Sequence, residues 1–321
     1  MQAALIRALV ALAFLPAPAF AFTAYVTNEK GNSVTILDTE KMEAVRTLAV
    51  GKRPRGILVS PDGTRLYVCA SDDNVIQVFD TKSMELVARI PTSDPEQIAL
   101  SPDGTRLYVA NEDDNLVSIF DVQTRKSVAE VPVGVEPEGV AVSPDGRTIV
   151  ATSETTNMAH FIDAAARKVV GNVLVGARPR FAYFSPTGSE LWVSSEVGGA
   201  VSIVDPAQKK VTAKIEFDVP GLTREQIQPV GIRMTADGKT AFVALGPANR
   251  VAVIDTATRK VERYLLVGQR VWQMALTPDD KVLLAVNGVT NDVSIIDVAA
   301  RKVLKSVQVG ALPWGVAMAP K

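Results

Sequence analysis

The sequence predicts an all-β fold: a seven-bladed β-propeller of four-stranded antiparallel blades. Three observations carry this. A repeat recurs along the chain, each copy holds four short β-prone runs, and the first and last segments are complementary parts of one copy.

The repeat is marked by Ser-Pro-Asp-Gly at Ser60, Ser101 and Ser143. Degenerate copies stand at Ser185, Thr235 and Thr277, and the spacings are 41, 42, 42, 50 and 42 residues. A second mark is an aspartate closing an apolar run: Asp38, Asp80, Asp121, Asp163, Asp205, Asp255 and Asp297. Six residues before each stands Asn32, Asn74, Asn115, Asn157, Gly199, Asn249 or Asn291. Between residues 56 and 90, GILVS, RLYVCA, VIQVFD and ELVARI read as strands A to D, separated by SPDG, SDDN and TKSM. Proline presets φ for the SPDG turn, and glycine accepts the conformation that leaves it.

The ends predict closure. Residues 311–320, ALPWGVAMAP, match the start of a copy, and residues 24–51 match the other three strands. Pairing them completes the seventh blade and removes open sheet edges.

Residues 1–21 read as a secretory signal peptide: Arg7, an apolar run from Ala8 to Leu15, then Ala19-Phe20-Ala21. Residues 22–321 are expected to form a single domain in the periplasm, not embedded in the membrane, since no later run approaches about 20 apolar residues. Loss of Arg7 leaves 33 basic against 35 acidic residues, which gives no basic field for nucleic acid. Cys69 is the single cysteine, so no internal disulfide forms. Strand patterning predicts its burial.

Tyr-Val-Thr-Asn at residues 25–28 and its echo LYVAN at 107–111 carry a family resemblance. The repeats resemble the YVTN seven-bladed propellers across residues 22–321. Longer stretches, among them VGVEPEGVAVSPDG, SETTNMAHFID, WVSSEVGG, TAFVALGPANRVAVID and PWGVA, resemble periplasmic propellers associated with PQQ-dependent alcohol catabolism. That resemblance implies a companion of quinoprotein alcohol oxidation and its transport machinery, with no enzymatic activity of its own. The expected partner is a protein of the quinoprotein dehydrogenase or ABC-transport system.

Strand alternation brings the D-to-A and B-to-C loops to one face. Five residues before each SPDG position stand Arg55, Glu96, Glu138, Arg180, Val230, Trp272 and Trp314; two residues earlier stand Arg53, Asp94, Glu136, Arg178, Gln228, Arg270 and Leu312. These should ring the channel mouth. Arg53, Arg55, Arg178, Arg180 and Arg270, with Trp272 and Trp314, are candidates for a small anionic ligand. PQQ, with three carboxylic acids and a planar ring, fits that chemistry. Asp94, Glu96, Glu136 and Glu138, joined by Glu112 and Glu154 from the B-to-C loops, are candidates for a Ca²⁺ or lanthanide ion. Glu96, Glu138, Glu112 and Glu154 are expected to converge, with Asp94 and Glu136 outside them. If the arginines reach in, the cluster is a salt-bridge network that needs no metal.

The insertion at residues 217–228 contains TREQ, a capping-box pattern with Thr223 as N-cap. His160, the single histidine, lies in the third strand of blade 4, where a structural role is expected. Three readings of function follow. The leading one is a non-enzymatic periplasmic binding or scaffold protein. The others are a cation-binding protein supplying a quinoprotein and a lactonase-type metal-dependent hydrolase.

Overall fold

The computed structural model describes residues 22–320. Residues 1–21, read above as a signal peptide, lie outside the described residues. Seven four-stranded antiparallel sheets, each in A-B-C-D order, form the predicted blades. Strand Pro313–Met318 pairs with Thr23–Asn28, which continues to Ser33–Asp38 and Glu43–Ala49, so the chain's two ends share blade 1. Blades 2 to 7 follow in order. Among the described residues, no helix is long and apolar enough to cross a membrane.

The repeat marks are turn chemistry. The closing aspartates accept backbone N–H groups of the C-to-D turn, as Asp80 Oδ1 does from Lys82 and Ser83 at 3.0 Å. In the A-to-B turn, Ser60 Oγ accepts Arg65 N–H at 2.9 Å and Asp62 Oδ1 accepts Thr64 N–H at 3.0 Å. These acids are therefore occupied by their own backbone.

The asparagine anchors do more. Each adopts a left-handed conformation, and its Oδ1 reaches the next blade. Asn32 accepts from Arg53 N–H at 3.1 Å, Asn74 from Asp94 at 2.8 Å and Asn157 from Arg178 at 2.9 Å. Asn249 and Asn291 hold Arg270 and Leu312 in the same way, both at 2.8 Å. The exception, Gly199, is also the site where the inserted loop replaces the regular connection. There Arg224–Gln226 forms one 3₁₀ turn, and Thr223 N–H donates to Gln226 Oε1 at 2.9 Å, as the capping-box pattern predicts.

The core lies between blades. Strands B, C and D of one blade present apolar side chains to strands A, B and C of the next, as Trp192, Ile203 and Ile215 do to Ile232, Ala241 and Ala252. Strands A come so close that glycine is required: a Cβ on Gly56 would lie 2.4 Å from Glu96 O, and one on Gly139 would lie 2.8 Å from Arg180 O. Cys69 is fully buried, and burial pushes its thiol pKa well up, so it packs as a small hydrophobe.

Closure is testable. Deleting residues 311–321 bares the inner edge of strand Thr23–Asn28, and size-exclusion chromatography should show aggregation with a large loss of melting temperature. A monomer that melts unchanged would refute the closing role of Pro313–Met318.

Candidate functional site

The channel mouth is built from the residues that start strands A. Arg53, Asp94, Glu136, Arg178, Arg270 and Leu312 all have positive φ, between 30° and 57°. Proline follows all but Arg270 and disfavours right-handed helical geometry before it. The anchoring asparagine and the strand pairing together hold this strained backbone. Side chains on it are therefore fixed by the ring rather than by mobile loops.

Five arginines and eight carboxylates form one connected network there, with Asp72 at its exposed rim, 3.6 Å from Arg53. On one side, Arg53 Nη2 meets Glu96 Oε1 at 2.8 Å and Arg53 Nη1 meets Asp94 Oδ1 at 2.9 Å. Arg55 Nη1 takes the other Glu96 oxygen at 2.5 Å. Glu112 Oε2 lies 3.7 Å from Arg53, and Glu29 Oε1 lies 3.6 Å from Arg55. On the other side, Arg180 contacts Glu154, Glu138 at 3.3 Å and Glu196 at 3.5 Å. Arg178 Nε meets Glu154 at 2.6 Å, and Arg270 meets Glu196 at 2.7 Å and Gln228 Oε1 at 2.9 Å. Glu138 joins the two sides, with Arg55 3.9 Å from its second oxygen. Trp272 lies under Arg270 and Arg180 at 4.4 and 5.6 Å, and Trp314 under Arg55 at 5.6 Å.

The expected set is partly regrouped. Asp94 is buried and belongs to the network, because Arg53 draws it in; only Glu136 stays outside, exposed and accepting a hydrogen bond from Thr155 Oγ1. Glu96, Glu138, Glu112 and Glu154 do not converge on one point. The arginines of blades 2 and 5 insert between them, dividing Glu112 from Glu154. Among the described residues, Asp94, Glu96 and Glu112 are the one group of three whose oxygens all lie within 4.8 Å of one another. Glu29, Glu196 and Gln228 are network members that the candidate set omitted. Glu29 and Glu196 occupy the same B-to-C loop position as Glu112 and Glu154, so repeat alignment alone could have found them. The segment NEDDN divides accordingly: Glu112 joins the network, Asp113 and Asp114 face solvent, and Asn115 clasps Glu136 N–H.

The surplus of carboxylates is met by protons. Burial, with Glu96 near, raises Glu138 to about 8 despite Arg180 and Arg55. Burial and the Glu96 carboxylate raise Glu112 to about 7, and the same two causes raise Asp94 to about 6. Burial works against the charge on Arg55 and Arg180, but the surrounding carboxylates outweigh it and raise both. His160, by contrast, is structural. Its Nδ1 pairs with Asn172 Oδ1 at 2.8 Å and its Nε2 accepts Gly134 N–H at 3.0 Å, while burial lowers its pKa.

The fold and this mouth define a seven-bladed propeller with a charged, preorganised face. A family model described as Choice-of-anchor I domain matches residues 113–283, more than half of the chain, and the chain belongs to that family. A second, described as Lactonase, 7-bladed beta-propeller, matches residues 13–131. Among solved structures, Kuenenia stuttgartiensis hydrazine synthase is similar, with 25% identity over 86% of this chain and 92% of that one and a TM-score of 0.80. A functionally unknown protein from Desulfotomaculum acetoxidans DSM 771 shares the fold, with 16% identity, coverage of 92% and 98%, and a TM-score of 0.79. No curated protein matches the sequence.

The raised carboxyls set a pH dependence. A carboxyl with a folded pKa above its unfolded value keeps a proton that the unfolded chain has released. Its stabilisation is complete below the unfolded value and is lost as pH rises through the folded one. Unfolding free energy should therefore fall from pH 5 to pH 8.5, by on the order of 1 kcal/mol per pH unit while one group titrates, and melting temperature should fall with it. Glu138→Gln should flatten this slope and raise stability at pH 8. Stability that rises over this range would contradict the assignment.

Proposed function

We propose that this chain is a non-enzymatic binding propeller of the periplasm that serves PQQ-dependent alcohol oxidation, with the channel mouth as its recognition face. The observation that carries this reading is the fixed ring of buried ion pairs flanked by Trp272 and Trp314. Arginine and tryptophan in preorganised, partly desolvated positions are the residues that dominate protein interfaces. The association with quinoproteins rests on the sequence resemblance, and the partner is a quinoprotein dehydrogenase or a component of its transport system.

Direct binding tests it. A purified quinoprotein alcohol dehydrogenase from the same source should bind saturably in interferometry, and Arg270→Ala with Trp272→Ala should weaken binding about tenfold or more. Absence of binding at micromolar concentrations, to the dehydrogenase and to the transporter's solute-binding protein alike, rejects the reading. PQQ at the mouth would have to displace Glu96 and Glu196 from guanidinium groups they already hold. Titration followed by tryptophan fluorescence decides whether it does so.

A cation is the second reading, favoured by the closeness of Asp94, Glu96 and Glu112. An oxygen-only set suits a large hard ion, but Arg53 already occupies oxygens of Asp94 and Glu96, so binding requires it to move. Calorimetry with Ca²⁺ and a lanthanide should show affinity rising from pH 6 to 8, as Asp94 and Glu112 lose protons, and loss of binding in Glu112→Gln. Absence of heat with both ions removes this reading. The metal-dependent lactonase reading, which needs the same ion, goes with it.

A further inference from the structure

The opposite end of the channel carries a different chemistry. It opens as a funnel of about 760 Å³ among the A-to-B turns, walled by Leu58, Leu100, Val142, Phe184, Met234 and Leu276. That volume is in the range of small-molecule sites. Its lining contains two charged groups, Arg233 and Asp280, and the phenol of Tyr183. Asp280 is tied at the rim, where its Oδ2 accepts Ala236 N–H at 2.6 Å.

Arg233 stands deeper. Its Nη1 donates to Ile232 O at 2.7 Å, and its guanidinium carbon lies 5.0 Å from the Phe181 ring and 5.7 Å from that of Tyr183. Among the described residues it has no ion pair, and burial lowers its pKa with no carboxylate opposing. Equivalent strand positions in the other blades hold Leu58, Ala99, Ala141, Tyr183, Ala275 and Ala317. One guanidinium thus projects from a layer of small and apolar side chains. It contrasts with every mouth arginine, each of which has carboxylate partners.

Beyond Arg233 and Phe181 a smaller cavity of about 100 Å³ continues inward, lined by Gln97, Gln273 and Trp314. These three side chains are 6%, 5% and 3% exposed. Gln97 Nε2, Trp314 Nε1 and Gln273 Oε1 have no hydrogen-bond partner. Buried polar atoms are rarely left in this state, and three on residues lining one cavity, beside a guanidinium without an ion pair, point to a polar ligand. The two free N–H groups and the remaining guanidinium donors outnumber the one free acceptor, Gln273 Oε1, and call for an oxyanion small enough for the cavity. The funnel walls call for an apolar body behind it.

We propose that the channel binds an amphipathic organic carboxylate from the funnel side, with its headgroup on Arg233, Gln97 and Trp314 and its apolar body against the funnel wall. The site opens on the face opposite the mouth and shares Trp314 with it. Calorimetry on the processed chain, with octanoate, octanol, octylamine and sulfate as probes, tests it. Octanoate should bind saturably, octanol about tenfold more weakly or worse, and octylamine and sulfate not at all. Sulfate binding as tightly as octanoate would make the site one for inorganic anions and overturn the proposal, as would octanol matching octanoate. Arg233→Met should weaken octanoate about tenfold or more while melting temperature holds or rises, because a half-buried guanidinium without a counter-ion adds little stability. Wild-type affinity in that variant refutes the role of Arg233. If the variant does not fold, the headgroup series on the wild-type chain decides alone, and indifference to all four probes overturns the proposal without bearing on the mouth.

Discussion

The structure depends on a strained backbone residue repeated around the ring. Where strand A begins, the chain turns inward through a left-handed residue, usually with proline next. For a residue with a Cβ, that conformation costs roughly 1–2 kcal/mol. An asparagine of the preceding blade, itself left-handed, accepts the strained residue's N–H and joins blade to blade. The geometry is thus set by the backbone and by the previous blade, not by the side chain that occupies the position. Arginine, aspartate, glutamate and leucine stand at equivalent sites for this reason. The ring can vary its chemistry without varying its shape.

That freedom is spent on ion pairs between blades. Interlocked buried charges are not a strong source of stability, since desolvation offsets most of the Coulomb gain. What they supply here is fixed geometry: each guanidinium is held by at least two groups from other loops. Five guanidinium groups face eight carboxylates, and the raised pKa values of Glu138, Glu112 and Asp94 reduce the excess of negative charge. A ligand arriving at this face meets paired charges and aromatic planes. Recognition by exchange of partners fits it better than simple attraction of an opposite charge.

The fold was legible because the repeat is dense in turn signals whose chemistry is local. Ser60 with Asp62, and Asp80 with its turn, act on their own backbone, so seven near-copies point to the same topology. The mouth was half legible. Its residues follow from repeat alignment, but their grouping does not, because it depends on how far side chains reach across a ring whose diameter the repeat does not state. Asp94, expected outside the cluster, lies within reach of Arg53, and Glu29 and Glu196 join from the loop position they share with Glu112. Arg233 lay outside every motif. Its meaning comes from what the neighbouring blades lack at the same position, which only the assembled channel brings together.

The two ends of the channel also share a wall. Trp314 carries Arg55 of the mouth on its ring, while its residue lines the inner cavity and its indole N–H has no partner. Gln273 stands next to Trp272, over which Arg180 and Arg270 lie. The inner cavity is therefore separated from the ion-pair network by one layer of side chains. Strand A is six residues long in most blades, and its first half belongs to the mouth and its second to the funnel. A strained start and a glycine-spaced middle leave such a strand little room to adjust at one end alone. The physical unit of this propeller is thus the whole inner ring of strands, with an ion-paired polar face at one end and a single uncompensated cation under an apolar vestibule at the other.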